Sequence, residues 1–275
     1  MSKIIRLLLI LSVPFVLFFI VGRLFGGVTG ALFGLVFFGI FSIMSYLYSG
    51  DVILRMYSAK LLSRDKYSSI YKTVQELSET VECPVPNLYI VEADTPSAFV
   101  CGMRKPFSIV VTTGLVQVCD EREVEAVVAR EFAQVSGGHV LVSTLSAIFS
   151  LVILYPFELL LRYGAVQNKS LGAVLRVPAI LVAPLSALFV RISNRSSFFM
   201  DIDSDGARLS KKPACLVSAL KKIAHEVKYR PLKSGSHATS ALFISNPFNG
   251  SLISRLFLVH PLTSERIARL EKLVV

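Results

Sequence analysis

Four blocks of this chain are too long and too apolar for an ordinary soluble fold, and they constrain the rest. They are "LLLILSVPFVLFFIVG" (7–22), "VTGALFGLVFFGIFSIMSYLY" (28–48), "HVLVSTLSAIFSLVILYPFELLL" (139–161) and "LGAVLRVPAILVAPLSALFVRI" (171–192). Each is near the ~20 residues that cross a hydrocarbon core. Lys3 and Arg6 give the first block the basic start of a signal peptide. No small-x-small cleavage site follows, however, and a second block arrives at once. Residues 1–50 therefore read as a membrane hairpin turned at "RLFGG". The third and fourth blocks, within 139–192, carry Glu158 and Arg176. They read either as a second transmembrane or membrane-associated hairpin or as a hairpin buried in the globular part. Charges within such blocks usually face protein.

The 29 Lys and Arg residues exceed the 19 Asp and Glu, for a net charge of +10. In a soluble protein this would suggest nucleic acid. Here the positive-inside rule accounts for it: Lys3 and Arg6 precede the first span, only Arg23 lies in its turn, and Arg55, Lys60, Arg64 and Lys66 follow the second. The expectation is four crossings, both termini in the cytoplasm, the lipid bilayer as partner and no nucleic acid. The four cysteines (Cys83, Cys101, Cys119, Cys215) form no C-x-x-C pair. On a cytoplasmic face they stay reduced, and they read as small buried hydrophobes.

Two polar segments remain, 51–138 and 193–275. In the first, "SRDKYSSIYKTVQELSETV" has helical spacing through Ile70, Val74 and Leu77, broken by "CPVP". "NLYIVE" and the β-branched "FSIVVTTGLV" read as strands, and "TPSAFVCGMRKP" as a loop or sheet edge. A helix begins at Asp120, which caps it with Glu123 three residues on, and ends at Gly137 and Gly138. The second segment reads as mainly helical, with a loose Ser/Gly/Asn-rich loop over 233–250.

Several stretches together resemble the HtpX family of membrane-bound zinc metalloproteases. "SAFVCG" (97–102) is similar to that family's N-A-F-x-x-G segment, and "IVVTTGLVQV" (109–118) to the strand and turn before its zinc helix. "EVEAVVAREFAQVSGGHV" (123–140) resembles the zinc helix, A-V-x-A-H-E-x-x-H. "FMDIDSDGARLSKKPACLVSAL" (199–220) resembles the E-x-x-x-D helix, and "VHPLTSERIARLEKL" (259–273) the H-P-x-x-x-x-R-I ending. The resemblance covers nearly the whole chain. It implies a mainly helical α+β, zincin-like metalloprotease domain with a small sheet, in two halves (51–138 and 193–275) split by one transmembrane hairpin and preceded by another. It also implies a multi-pass protein of a bacterial inner (cytoplasmic) membrane, its polar domain facing the cytoplasm, that handles misassembled or damaged membrane proteins.

In that motif two histidines at i and i+4 share one zinc, the glutamate beside the first is general base, and a later carboxylate completes the set. This chain departs from it at the decisive positions. Arg130 and Gln134 replace the histidines, while Glu131 keeps the base position. Gapless alignment places Phe199 at the ligand glutamate and Asp203 at the motif aspartate; a two-residue slip would offer Asp201 and Asp205 instead. The family's zinc is therefore not expected here, and no residue is assigned as a metal ligand. His139, His225, His237 and His260 read as structural or surface residues, His260 matching the H-P. Glu131 reads as an inert relic or a structural hydrogen-bonding group. Arg130 is expected to replace the metal's charge beside Glu131 and Asp203; the alternative has it pointing to water.

Three functions follow as expectations. The first is a catalytically inactive pseudoprotease that binds polypeptides or a membrane-protein partner in quality control, with Ser97, Ala98, Phe99 and Gly102 as a peptide-binding edge. The second is an active metalloendopeptidase with an atypical site. The third is a structural membrane assembly subunit.

Overall fold

The first two apolar blocks form one helical element, α1 (Lys3–Met56), which breaks at Gly26 and Gly27, the latter at φ 62°. The chain doubles back there. Gly22 and Gly30 press backbone to backbone, and a Cβ on Gly34 would run into the carbonyl of Phe18. Phe18 meets Phe37, Phe38 and Phe41 across the hairpin, with ring centroids 5.4 to 6.1 Å apart. Leu32, Phe33, Val36, Phe37, Ile40 and Ile43 stay exposed, a surface suited to lipid and not to water. The second arm continues past residue 50 to Met56. This computed structural model describes residues 3–167, 183–184, 186–248 and 255–273.

The hairpin leads into a small mixed sheet. Its strands are β1 (Lys60–Leu61), β2 (Asn87–Val91), β3 (Ala98–Cys101) and β4 (Ser108–Thr112), in the order β1-β2-β4-β3. β2 and β4 are parallel, Tyr89 opposite Val110; the outer pairs are antiparallel, with Phe99 opposite Val110 on β3. The stretch read as loop or edge is thus the edge strand β3. The stretch "FSIVVTTGLV" is a strand only as far as Thr112. The Thr112 hydroxyl accepts the Leu115 N–H and starts helix α3 (Thr113–Val118), a local bond that outcompetes further strand pairing.

Alternation along the strands divides the core in two. Ala98, Val100, Ile109 and Val111 face α2 (Ser68–Val81), α4 (Glu121–Ser136) and, further out, α7 (Pro213–Tyr229). Phe99, Cys101 and Val110 face the end of α1, α5 (Val140–Gln167) and a 3-10 turn (His237–Leu242). Helix α2 buries Ile70, Val74 and Leu77, the spacing seen in its sequence. Cys101 and Cys119 are buried, Cys83 and Cys215 half-buried, and all four are free thiols.

Helix α4 is central. Its capping box is complete: Asp120 accepts from the Glu123 N–H at 2.8 Å and Glu123 returns a bond to the Asp120 N–H at 2.9 Å. Glu123 also takes Ser218 and Lys222 of α7 at 2.6 and 2.7 Å, so the cap fixes one helix to another. From Ala126 to Val135 every α4 residue is buried. Gly137 and Gly138 then turn the chain, Gly138 at φ 66°, and α5 leaves at 88° to α4.

In the third apolar block Val140, Leu145, Ala147 and Leu154 are buried against protein, while Leu141 and Val152 are exposed. Glu158 is buried too and meets His237 Nδ1 at 2.8 Å. Residues 168–182 and 185 of the block pair lie outside the described residues. The region 233–250 is not a loose loop. Residues 238–244 are all buried, Tyr57 and Thr239 share a hydrogen bond, and Ser240 donates to the Phe257 carbonyl at 3.0 Å. Polar serines and threonines here satisfy backbone groups inside the core; residues 249 and 250 lie outside the described set.

Helix α6 (Ser196–Ser210) crosses α4 at Gly206, where a Cβ would lie 2.7 Å from the Arg130 Cβ and closer still to its Cα. Gly206→Ala is expected to force the two helices apart and cost ~1–3 kcal/mol, measured by thermal unfolding in detergent micelles; an unchanged midpoint would refute the close crossing. A second expectation concerns His260. It is buried, its Nε2 lies 2.8 Å from the Phe243 carbonyl, and its Nδ1 has no partner among the described residues. Burial, reinforced by the Arg266 charge, pushes its pKa down to about 3. The unfolded chain takes up this proton near pH 6.5 and the folded chain does not. Stability from this group is therefore complete above ~6.5 and falls by ~1.4 kcal/mol per pH unit down to about 3. His260→Gln should flatten that slope between pH 6 and 4; parallel curves for both proteins would contradict the assignment.

Candidate functional site

The candidate site lies where α4, α6 and α8 (Thr263–Glu271) meet. One helical turn separates Arg130 from Gln134 on α4 and Phe199 from Asp203 on α6, so each pair shares a face. The close crossing at Gly206 brings those faces together. Arg130 Nη1 donates to Glu131 Oε1 at 2.7 Å and to Gln134 Oε1 at 3.3 Å, and its Nε to Asp203 Oδ1 at 3.2 Å. From α8, Arg266 grips Asp203 with two bonds, Nε to Oδ2 at 2.6 Å and Nη2 to Oδ1 at 2.8 Å. Its remaining Nη1 donates to the Ile244 carbonyl at 2.8 Å. Gln134 passes the chain of bonds to Ser143 of α5 at 3.2 Å.

Arg130 and Glu131 are 0% exposed, and Asp203 and Arg266 1%. Two guanidinium groups thus balance two carboxyls inside the protein. Burial opposes every one of these charges. For Asp203 the two arginines overcome it, and its pKa is held below the usual carboxylate range. For Arg130 the carboxyls of Glu131 and Asp203 likewise overcome burial and hold the guanidinium more firmly charged. For Glu131 burial prevails over Arg130, and the pKa moves up. Glu131 Oε2 and Arg130 Nη2 have no partner among the described residues.

Phe199 is buried and packs on the His260 ring, 4.3 Å between centroids. With Gln134, Ser143, Asn194 and Ile202 it lines a cavity of about 10 Å³, enough for about one water. The alternative pair lies elsewhere. Asp201 is exposed and bound to Arg269 at 2.8 Å, and Asp205 is exposed near Arg208 at 3.8 Å. Phe199 and Asp203, and not Asp201 or Asp205, are the residues buried toward α4. The water-facing alternative for Arg130 and Gln134 does not describe their buried positions. Among the described residues no group of three or more His, Cys, Asp or Glu side chains could hold a metal ion.

Ser97, Ala98, Phe99 and Gly102, read as an open edge, are all buried. The outer side of β3 is closed by the chain itself: Ile244 N–H donates to the Ala98 carbonyl at 2.8 Å and Phe243 forms an antiparallel bridge with Phe99. Arg266 was given no role from sequence, although it is the arginine of the R-I ending. Its position in a terminal motif was a signal; its partner, 63 residues away, was not visible. Gly206, inside a helical pattern, was the other signal. His139 lies on the Phe198 ring and His225 on that of Tyr229, at 5.1 and 5.2 Å.

Residues 65–274 match the family model of peptidase family M48. "Protease HtpX" of Legionella pneumophila (strain Corby) is 36% identical over 260 residues, 91% of this chain and 92% of that one. "Protease HtpX homolog" of Salinibacter ruber is 33% identical over 267 residues, 96% and 95% of the two chains. "Protease HtpX homolog" of Thermococcus sibiricus is 33% identical over 265 residues, 92% and 90%. The crystal structure of S. mikatae Ste24p aligns at a TM-score of 0.49 and 16% identity, over 94% of this chain and 62% of that chain. Motif order, the apolar span and near full-length similarity agree: this chain belongs to the HtpX family of peptidase family M48, as a membrane protein with at least one apolar span.

Proposed function

We propose that this chain is a zinc-free pseudoprotease of its family, which binds polypeptide or a membrane-protein partner without cutting it. One observation carries the reading: the Arg130 guanidinium, in the position of the first motif histidine, is buried against Glu131 at 2.7 Å and Asp203 at 3.2 Å. A guanidinium is cationic at every pH the protein meets and has no lone pair to give a metal. A dication ~4 Å from one guanidinium would meet a repulsion of roughly 8 kcal/mol at an effective dielectric of 20. A second guanidinium, Arg266, stands behind Asp203 at 2.6 Å. The donors themselves fit zinc no better. Gln134 offers a neutral amide already bonded to Arg130 and Ser143, and Phe199 offers nothing. Glu131, which in the parent chemistry takes a proton from water, gives one carboxyl oxygen to Arg130. On this reading Arg130 replaces the metal as the cation that joins α4 to α6. The four-crossing topology, the cytoplasmic polar domain and the two-half division around 139–192 belong to the same proposal and rest on charge placement. A second reading, a membrane assembly subunit, draws on the 10 Å³ cavity, which leaves no room for a peptide side chain.

Elemental analysis after metal-free purification should find well under one zinc per chain, with no hydrolysis of unfolded membrane or soluble substrates. Near-stoichiometric zinc would overturn the reading and favour an enzyme. Arg130→Ala should lose ~3–5 kcal/mol of stability, because it strands buried carboxyls; a loss under ~1 kcal/mol would mean that the pair behaves like an exposed one. Arg130→His with Gln134→His and Phe199→Glu should bind zinc tightly enough to survive gel filtration, since the helix crossing that sets the geometry is unchanged.

A further inference from the structure

Strand β3 ends the sheet order, so one side of its backbone is a pairing template. The chain's own Phe243 and Ile244 occupy it. Ile244 N–H reaches the Ala98 carbonyl at 2.8 Å, and Phe243 bridges Phe99. Their side chains go to opposite sides, as in a strand: Ile244 joins Ala98 in the core beneath α4, and Phe243 joins Phe99 in the core beside α5. This is not a strand ladder but a single antiparallel bridge. It is held from outside. His260 Nε2 takes the Phe243 carbonyl and Arg266 Nη1 takes the Ile244 carbonyl, both at 2.8 Å. The same Arg266 commits Nε and Nη2 to Asp203, which also holds Arg130. The charge cluster and the closed edge therefore share one side chain.

We propose that residues 243–244 are a resident latch on the β3 edge, exchangeable for an extended polypeptide strand, and that the Arg130–Asp203–Arg266 cluster holds the latch shut. The resident segment defines the ligand: an extended backbone with apolar side chains on alternating sides, paired antiparallel to β3. A ligand that needs the open edge is weakened by the fraction of time the edge is closed. Losing the Arg266 bond to Ile244 should lower that fraction and tighten binding. This inference rests on the polypeptide-binding reading above.

The test uses the full chain in lipid nanodiscs and a fluorescein-labelled ten-residue peptide, six Val and Ile residues with two Lys at each end, followed by anisotropy. Ala98 and Ile244 lie opposite one another, and a pair joined in this way has Cα atoms roughly 5.5 Å apart, within disulfide reach. Ala98→Cys with Ile244→Cys should bind the peptide at least tenfold more weakly oxidised than reduced. The two forms are one polypeptide, so a folding defect cannot produce that difference. Arg266→Lys, which keeps a cation near Asp203 but loses the second grip, should bind at least threefold more tightly than the unaltered chain, with faster hydrogen exchange at the Ile244 amide. Equal binding by the oxidised and reduced forms would overturn the latch and leave the polypeptide reading standing. No binding by the unaltered chain, the reduced variant or Arg266→Lys would overturn the polypeptide reading and the latch with it.

Discussion

Four ionisable side chains without solvent contact, Arg130, Glu131, Asp203 and Arg266, are the constraint around which this domain is arranged. An isolated buried charge costs several kcal/mol after relaxation, so none of the four is tolerable alone. Three parts of the chain supply them: α4 brings the first two, α6 the third and α8 the fourth. Satisfying them fixes the three helices relative to one another. Gly206 allows the approach, since no other residue would let α6 come so close to Arg130. The capping box at Asp120 fixes where α4 begins, and with it the turn of helix on which Arg130 and Gln134 stand.

The network also extends beyond charge pairing. Arg266 has three donor groups in use, two on Asp203 and one on the Ile244 carbonyl. A lysine could not make this arrangement, because its donors radiate from one nitrogen and lack the planar fork. Through that third donor the helix crossing is tied to the sheet edge, and through Gln134 and Ser143 it is tied to the start of α5. Arg130 is thus linked by hydrogen bonds both to the edge of β3 and to the start of α5.

What the sequence made legible was local. The period of Ile70, Val74 and Leu77, the Asp120–Glu123 cap and the glycines at 137 and 138 each lie within a few residues of what they determine. Motif spacing located Arg130, Gln134, Phe199 and Asp203, and helical geometry then put each pair on one face. What composition could not reveal was burial. Residues 238–244 look like loop because serine and threonine are common in loops, yet those hydroxyls here bond backbone carbonyls and neighbouring side chains within the core. The same blindness hid the closing of the β3 edge, since Ile244 and Ala98 are far apart in the chain. The end of β4 was misread because β-branched Thr112 has a strand former's shape but uses its hydroxyl to start a helix.

A metal and a guanidinium solve the same structural problem with different dependencies. Zinc holds two helices only while it is supplied and only while its ligands are deprotonated, so affinity falls with pH. Arginine cannot be lost to a chelator and does not titrate. On the proposed reading, exchanging one for the other would remove the open coordination position on which hydrolysis depends while keeping a positive charge between α4 and α6. Asp203 accepts bonds from both arginines, and that double contact holds its carboxylate charged despite burial. Glu131 has Arg130 alone at 2.7 Å, and burial prevails. The two acidic positions thus differ in character: Asp203 is an anion fixed by arginines from two sides, and Glu131 is a carboxyl bonded to a single arginine.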